Sequence, residues 1–259
     1  MKFALGVEYD GREFHGFETQ PNGRTVQACL ESALSKVADH PVRAICAGRT
    51  DAGVHALGQI VHFESQAERP LNAWIFGANT HLPGDVCVNW SRSVPDEFHA
   101  RFSATARRYR YVILNRATRP SALRGRVSWE YRPLAVERMH SAAGYLLGEH
   151  DFSSFRGAGC QSRSAVRQIH RLEVSRRGPF VFIDVCANAF LLHMVRNIAG
   201  VLMDVGAGKA PVGWAEEVLR ARDRRQAGVT APPHGLYLVQ VDYPARYRLP
   251  AFPPESGLW

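Results

Sequence analysis

Lysine is nearly missing from this chain: of its 32 basic residues only Lys2, Lys36 and Lys209 are lysines, so the formal charge of +8 is carried by arginine. Cysteine is sparse as well. Cys29, Cys46, Cys87, Cys160 and Cys186 stand far apart and are odd in number. They form no Cys-x-x-Cys pair, which argues against zinc, a redox pair or a disulfide framework and for scattered reduced thiols. His55, His62, His193 and His234 lack ligand spacing such as His-x-x-x-His, so each reads as a packing or hydrogen-bonding residue and no metal is expected. Neither a G-x-G-x-x-G run nor a Walker loop is present, and no organic cofactor is expected. No stretch approaches ~18 uninterrupted apolar residues, which excludes an apolar spanning helix. The opening MKFALGVEYD has acidic residues too early for an export signal, so a cytoplasmic location is expected.

What is there is an ordinary globular composition in 259 residues, 46% apolar and 22% charged, enough for one large or two modest domains. The charge is unevenly spread. Residues 1–100 carry 8 basic and 12 acidic side chains, residues 101–180 carry 16 and 5, and the remainder is close to neutral. A net +11 over eighty residues would draw a polyanion and release its counterions. Arginine suits phosphate because its planar fork donates two parallel hydrogen bonds.

Periodicity predicts the same succession of elements twice. FALGVEY (3–9), VRAICA (42–47), QIVHFE (59–64) and VCVNWS (86–91) alternate as strands, and Thr25–Ala38 and Leu71–Thr80 carry helical spacing, giving β-α-β-β-α-β. In the second half ATARRYRYVILN (104–115), QIHRLEVSR (168–176), FVFIDVCA (180–187) and LYLVQVDY (236–243) read as strands, the middle two joined at Arg177-Gly178-Pro179. Val136–Leu147, Leu191–Val205 and Gly213–Arg224 read as helices. The expected class is therefore α+β: two tandem ferredoxin-like halves, 1–103 and 104–259, each an antiparallel sheet with helices on one face. Pro232-Pro233 and the tail 250–259 read as loose.

Three features could carry chemistry. The loop Ala47-Gly48-Arg49-Thr50-Asp51-Ala52-Gly53-Val54-His55 brackets an Arg and an Asp with glycines and reads as mobile; alone, such an Asp is a turn-former. On the strand at 104–115, alternation puts Arg107, Tyr109 and Tyr111 on one face and Arg108 and Arg110 on the other. Rings interleaved with arginines offer a stacking plate among phosphate contacts. The helix at 191–205 is apolar almost all round, with His193, Arg196, Asn197, Gly200 and Asp204 in one narrow stripe. A buried Arg196 needs a partner to offset desolvation. Asp204 is two turns away, beyond the i+3 and i+4 neighbours, and Asp51 is a candidate.

AGRTDAGVHALGQ (47–59), FHARFSATARRYRY (98–111), DFSSFR (151–156), FLLHMVRN (190–197) and GLYLVQVDYP (235–244) together resemble the TruA family of tRNA pseudouridine synthases. The likeness runs through nearly the whole chain in the family's order, and Gly-Arg-Thr-Asp-Ala-Gly-Val-His is its most specific string. The resemblance implies cofactor-free isomerisation of uridines 38, 39 and 40 in the anticodon arm of tRNA by a homodimer that grips the tRNA jointly. It implies Asp51 as nucleophile, Tyr109 against the target uridine and Arg49 in flipping the base. It also implies Arg196 as the partner of Asp51, and Leu236 lining the pocket. Arg107 and Arg110 are candidate tRNA contacts from their place on the basic strand. Where relatives often read Gly-Trp-Gln-x-Gln, this chain has Gly16-Phe17-Glu18-Thr19-Gln20, an acidic departure beside the substrate.

The chemistry suits those residue types. A carboxylate can attack C1′ of the ribose or C6 of the ring. Extrusion of the nucleotide costs a few kcal/mol, and the freed uracil needs a water-poor site in which to turn. A base must take the C5 proton, and Tyr109 is the nearest candidate. A non-catalytic RNA-binding module would have no use for the glycine-flanked Asp, and a nucleoside hydrolase would ordinarily show two carboxylates.

Overall fold

The computed structural model describes residues 1–250; the tail from 251 on, predicted as loose, lies outside the described residues. In chain order the elements are β1 (Lys2–Tyr9), α1 (Val26–Ala38), β2 (Ile45–Cys46), β3 (His55–Glu64), α2 (Leu71–His81), β4 (Val86–Val94), β5 (Ala106–Asn115), β6 (Ser128–Glu130), α3 (Val136–Gly144), β7 (Gly148–Asp151), β8 (Val166–Arg177), β9 (Phe180–Ala187), α4 (Met194–Gly206), α5 (Trp214–Ala221) and β10 (Leu236–Asp242). The class is mixed α and β, with mostly antiparallel strands and five helices among the described residues. No helix among them is long and apolar enough to cross a membrane.

The chain divides into two compact units, one joining Met1–Ala106 to the chain from Tyr237 on, the other Arg107–Leu236. The sequence reading assigns everything from 104 onward to one half; in the structure the last strand groups with the first unit. The reason is local: β10 runs parallel to β3 at Tyr237↔His55 and Leu238↔Ala56. Gly58 lets the backbones close up, since a Cβ there would lie 2.2 Å from the Val239 carbonyl oxygen.

In the first unit β1 lies between β4 and β3, antiparallel to both. Phe3, Phe63 and fully buried Trp74 pack with ring centroids 5.4, 5.2 and 4.9 Å apart and seat α2 on the sheet. Helix α1 starts at Thr25, whose hydroxyl accepts from the Ala28 N–H, as an N-cap does. The strand predicted at 42–47 shrinks to Ile45–Cys46 because α1 side chains take its backbone groups. Glu31 accepts from Ala44 N–H at 3.0 Å, Gln27 donates to the Ala44 carbonyl at 3.0 Å, and the Ser35 hydroxyl accepts from Val42 N–H at 2.9 Å.

In the second unit the antiparallel order is β5-β9-β8-β7, with β6 parallel to the end of β5. The predicted hairpin is present: Arg177 faces Phe180 across Gly178, whose φ is 57°. Helix α4 begins three residues later than the apolar run because His193 takes a left-handed φ of 60°. Pro232-Pro233 is not loose. The Pro232 carbonyl accepts from Tyr111 Oη at 2.8 Å, residues 233–235 form a tight helical turn, and a Cβ on Gly235 would sit 2.5 Å from the Val112 carbonyl.

Candidate active site

Asp51 occupies the first position of a turn closed by Val54 N–H donating to the Asp51 carbonyl at 3.1 Å. The third residue, Gly53, has φ 76°, a torsion that type II turns ask of glycine. The loop that reads as mobile in sequence is braced from beneath. Gln59, wholly buried, donates to the Gly48 carbonyl at 2.7 Å. Tyr9 and Thr50 hydroxyls meet at 2.7 Å, and Phe17 N–H donates to the Thr50 carbonyl at 3.0 Å. Gly16 at φ 96° lies so close that a Cβ would be 2.8 Å from the Thr50 oxygen. The result is a half-buried carboxylate on a rigid mount.

The same approach lays Gly16-Phe17-Glu18 along the loop, and Glu18 forms an ion pair with Arg49. Both are exposed, at 45% and 53%, so in water the pair is worth only ~0–1 kcal/mol. Cys46, below the loop, is no rival nucleophile: burial pushes its thiol up to about 12, leaving it protonated. His55, at the loop exit, is structural. Its Nδ1 accepts from Gly11 N–H at 3.1 Å and its ring stacks on Tyr237 at 4.5 Å.

In the second unit β5 obeys the predicted alternation, with Arg107, Tyr109 and Tyr111 buried and Arg108 exposed. Tyr109 stands edge-on to Phe190, centroids 5.1 Å apart at 84°. Arg107 donates to the Asn188 carbonyl at 2.9 Å. Arg110 grips Asp184 of β9 with two bonds, 2.7 and 3.1 Å, and lies over the Phe182 ring. Both arginines read as phosphate contacts are thus engaged within the sheet.

Arg196 lies in the first turn of α4, half-buried. Its Nε donates to the Ala231 carbonyl at 2.8 Å, and Ala231 N–H donates back to the Arg196 carbonyl at 3.1 Å. The next residue, Pro232, receives the Tyr111 hydroxyl, so one short segment ties α4 to β5. Burial raises the Tyr111 hydroxyl well above its ordinary range, against the opposing pull of Ser128 and Arg196; it stays a donor. Leu236, buried, follows this segment at the start of β10.

A model of one family, described as tRNA pseudouridine synthase, matches residues 6–103 and again 142–244. The tRNA pseudouridine synthase A of Coxiella burnetii (strain Dugway 5J108-111) is 56% identical over 252 residues, 97% of each chain. The chain belongs to the tRNA pseudouridine synthases. The protein of the same name from Alcanivorax borkumensis is 56% identical over all of this chain and 97% of its own, and that of Legionella pneumophila (strain Corby) 55% over 96% and 95%. A chain of a solved Cbf5-Nop10-Gar1 complex aligns with 77% of this one and 54% of its own at 12% identity and a TM-score of 0.34, too slight a likeness to bear on the fold. As a tRNA pseudouridine synthase the protein is an isomerase that converts uridine to pseudouridine within tRNA.

Two buried amides are missing from the sequence reading, Gln59 beneath the Asp51 loop and Asn197 beside Arg196. Gln59 reads there only as a strand residue, and Asn197 only as part of a polar stripe. Fully buried Asn197 donates to the Phe155 carbonyl at 2.7 Å and accepts from Arg224 at 3.0 Å and Thr230 at 2.7 Å. The one available signal was an amide on a helix otherwise too apolar to carry it.

Proposed function

We propose that this synthase modifies uridines 38, 39 and 40 of the tRNA anticodon stem-loop, with Asp51 as nucleophile and no cofactor, as a cytoplasmic homodimer. The observation that carries the reading is Asp51 itself, a half-buried carboxylate on a turn braced by Gln59, Tyr9 and Phe17. A nucleophile held in place loses less entropy on attack than one on a free loop. In the reaction the C1′–N1 bond breaks, the uracil turns, a C1′–C5 bond forms, C5 gives up its proton and N1 gains one. Arg196 would pair with Asp51 and hold its carboxylate aimed, the planar fork of the guanidinium fixing the direction of the two oxygens. Tyr109 would stack on the target base, Arg49 would help flip it, and Leu236 would line the pocket. Arg107 and Arg110, already engaged in the sheet, are the lesser phosphate contacts proposed. The β-α-β-β-α-β order of the first unit supports a reading as tandem ferredoxin-like halves.

Incubating the purified protein with unmodified tRNA and mapping the product tests this. Pseudouridine at 38, 39 and 40 is expected; abasic RNA would mean a hydrolase, and unchanged RNA a binding protein.

The Glu18–Arg49 pair gives a second expectation. Glu18→Gln leaves Arg49 uncommitted, so KM for tRNA should fall by up to about fivefold at low salt, the reach of an exposed pair. The gain should shrink as salt rises, with kcat unchanged. A KM that does not move, or a lowered kcat, would show that Glu18 does not restrain Arg49.

A further inference from the structure

An exposed aromatic pair of the second unit sits at its shortest strand, Trp129 within it and Tyr131 just past its end. Strand β6 pairs with the end of β5 in the register Ile113↔Ser128, Leu114↔Trp129, Asn115↔Glu130. Ser128 and Glu130 are buried, so period-two alternation turns Trp129 outward. Trp129 is 41% exposed and Tyr131, next but one, is 63% exposed, their ring centroids 6.1 Å apart. The mount is firm. The Trp129 indole N–H donates to the Arg116 carbonyl at 2.8 Å, and the Asn115 amide donates to the Glu130 and Arg132 carbonyls at 3.0 and 2.6 Å.

The loop that leads into β6, residues 116–127, carries Arg116, Arg119, Arg124 and Arg126 and no carboxylate. The next acid, Glu130, is buried and matched by Arg132 at 2.6 Å. Loop and strand fall between the two stretches that the family model matches.

We propose that Trp129 and Tyr131 form a tRNA-docking plate that takes no part in the chemistry, one unpaired base stacking on the rings while Arg116, Arg119 and Arg124 meet the flanking phosphates. Exposed rings beside arginines are the composition that holds unpaired nucleotides, because every base has a stacking face. A ring already fixed by a hydrogen bond, as that of Trp129 is, loses little freedom on binding. A second copy of this chain is the poorer occupant: a self-complementary contact would bring two arginine loops face to face with no carboxylate to answer them. The proposal rests on tRNA being the family's substrate and not on the role of Asp51.

The test is equilibrium binding of an unmodified tRNA transcript to the full chain. Trp129→Ala with Tyr131→Ala should weaken binding about tenfold, within the range for removing a base stack, while single-turnover rate at saturating tRNA stays unchanged. Trp129→Phe keeps a ring and should bind as the parent does. Replacing Arg116, Arg119 and Arg124 by Gln should flatten the plot of log affinity against log salt by about 0.7–0.9 for each phosphate no longer neutralised. If the double variant proves unfolded by circular dichroism, Tyr131→Ala alone should still weaken binding several-fold. Binding within twofold of the parent with an unchanged salt slope would overturn the proposal. So would a loss of affinity that tracks a change in sedimentation, which would make this face an interface between copies. Because binding is read without turnover, failure here leaves the Asp51 assignment standing, and failure of that assignment leaves this one.

Discussion

Asp51→Asn is expected to abolish pseudouridine formation, a loss of about 10⁴-fold or more, the scale on which enzymes lose rate when their nucleophile is removed. The substitution keeps size and shape, and the loop is braced by hydrogen bonds from Gln59, Phe17, the Thr50 hydroxyl and the Asp51 backbone. Melting temperature and tRNA affinity should therefore stay close to those of the parent protein. Arg196→Lys keeps the charge but loses the planar fork, one N–H of which is spent on Ala231, and activity should drop strongly. Arg196→Met should cost activity yet leave folding intact, since a packed apolar side chain can replace a half-buried cation. If Asp51 and Arg196 act as one, the double variant should be no worse than Asp51→Asn alone. Measurable pseudouridine from Asp51→Asn, with host enzyme excluded, would sink the assignment.

Asn197→Leu should be the most damaging change away from the reacting groups. Leucine has the same branched shape but offers neither donor nor acceptor, stranding the Phe155 carbonyl and taking the amide oxygen from Arg224 and Thr230, contacts of 2.7, 3.0 and 2.7 Å. At ~1–3 kcal/mol for each buried group left unpaired, less what the leucine recovers by burial, the loss should be roughly 3–5 kcal/mol. For a chain of this size that is on the order of 10 °C in Tm. Activity should fall further than stability, because Asn197 neighbours Arg196 and anchors the first turn of α4. Asn197→Asp keeps the acceptor facing the Arg224 guanidinium, which answers its new charge, but sets an oxygen against the Phe155 carbonyl, and should fall less. Thermal denaturation of the three proteins side by side decides it: an unchanged Tm for the leucine variant would mean the network holds nothing.

Element type was legible wherever the apolar period ran long. β1, α1, α2, β5, β9 and β10 lie within a few residues of their predicted limits, since a strand or helix face repeats over two to four residues and needs no distant partner to be read. Failures cluster where a distant group intervenes. The strand at 42–47 lost its first residues to Glu31, Gln27 and Ser35 of α1, and a loop that looked mobile is pinned by Gln59.

The chain alone determined its period, its arginine-rich middle and the short strings that carry the family likeness, all properties of neighbours in sequence. Tertiary structure decided the pairings. Glu18 answers Arg49, Asp184 takes up Arg110, Asn197 joins residues 155, 224 and 230, and β10 returns to β3. These join residues far apart along the chain, where no local preference operates. A buried polar group must find whichever partner the fold delivers.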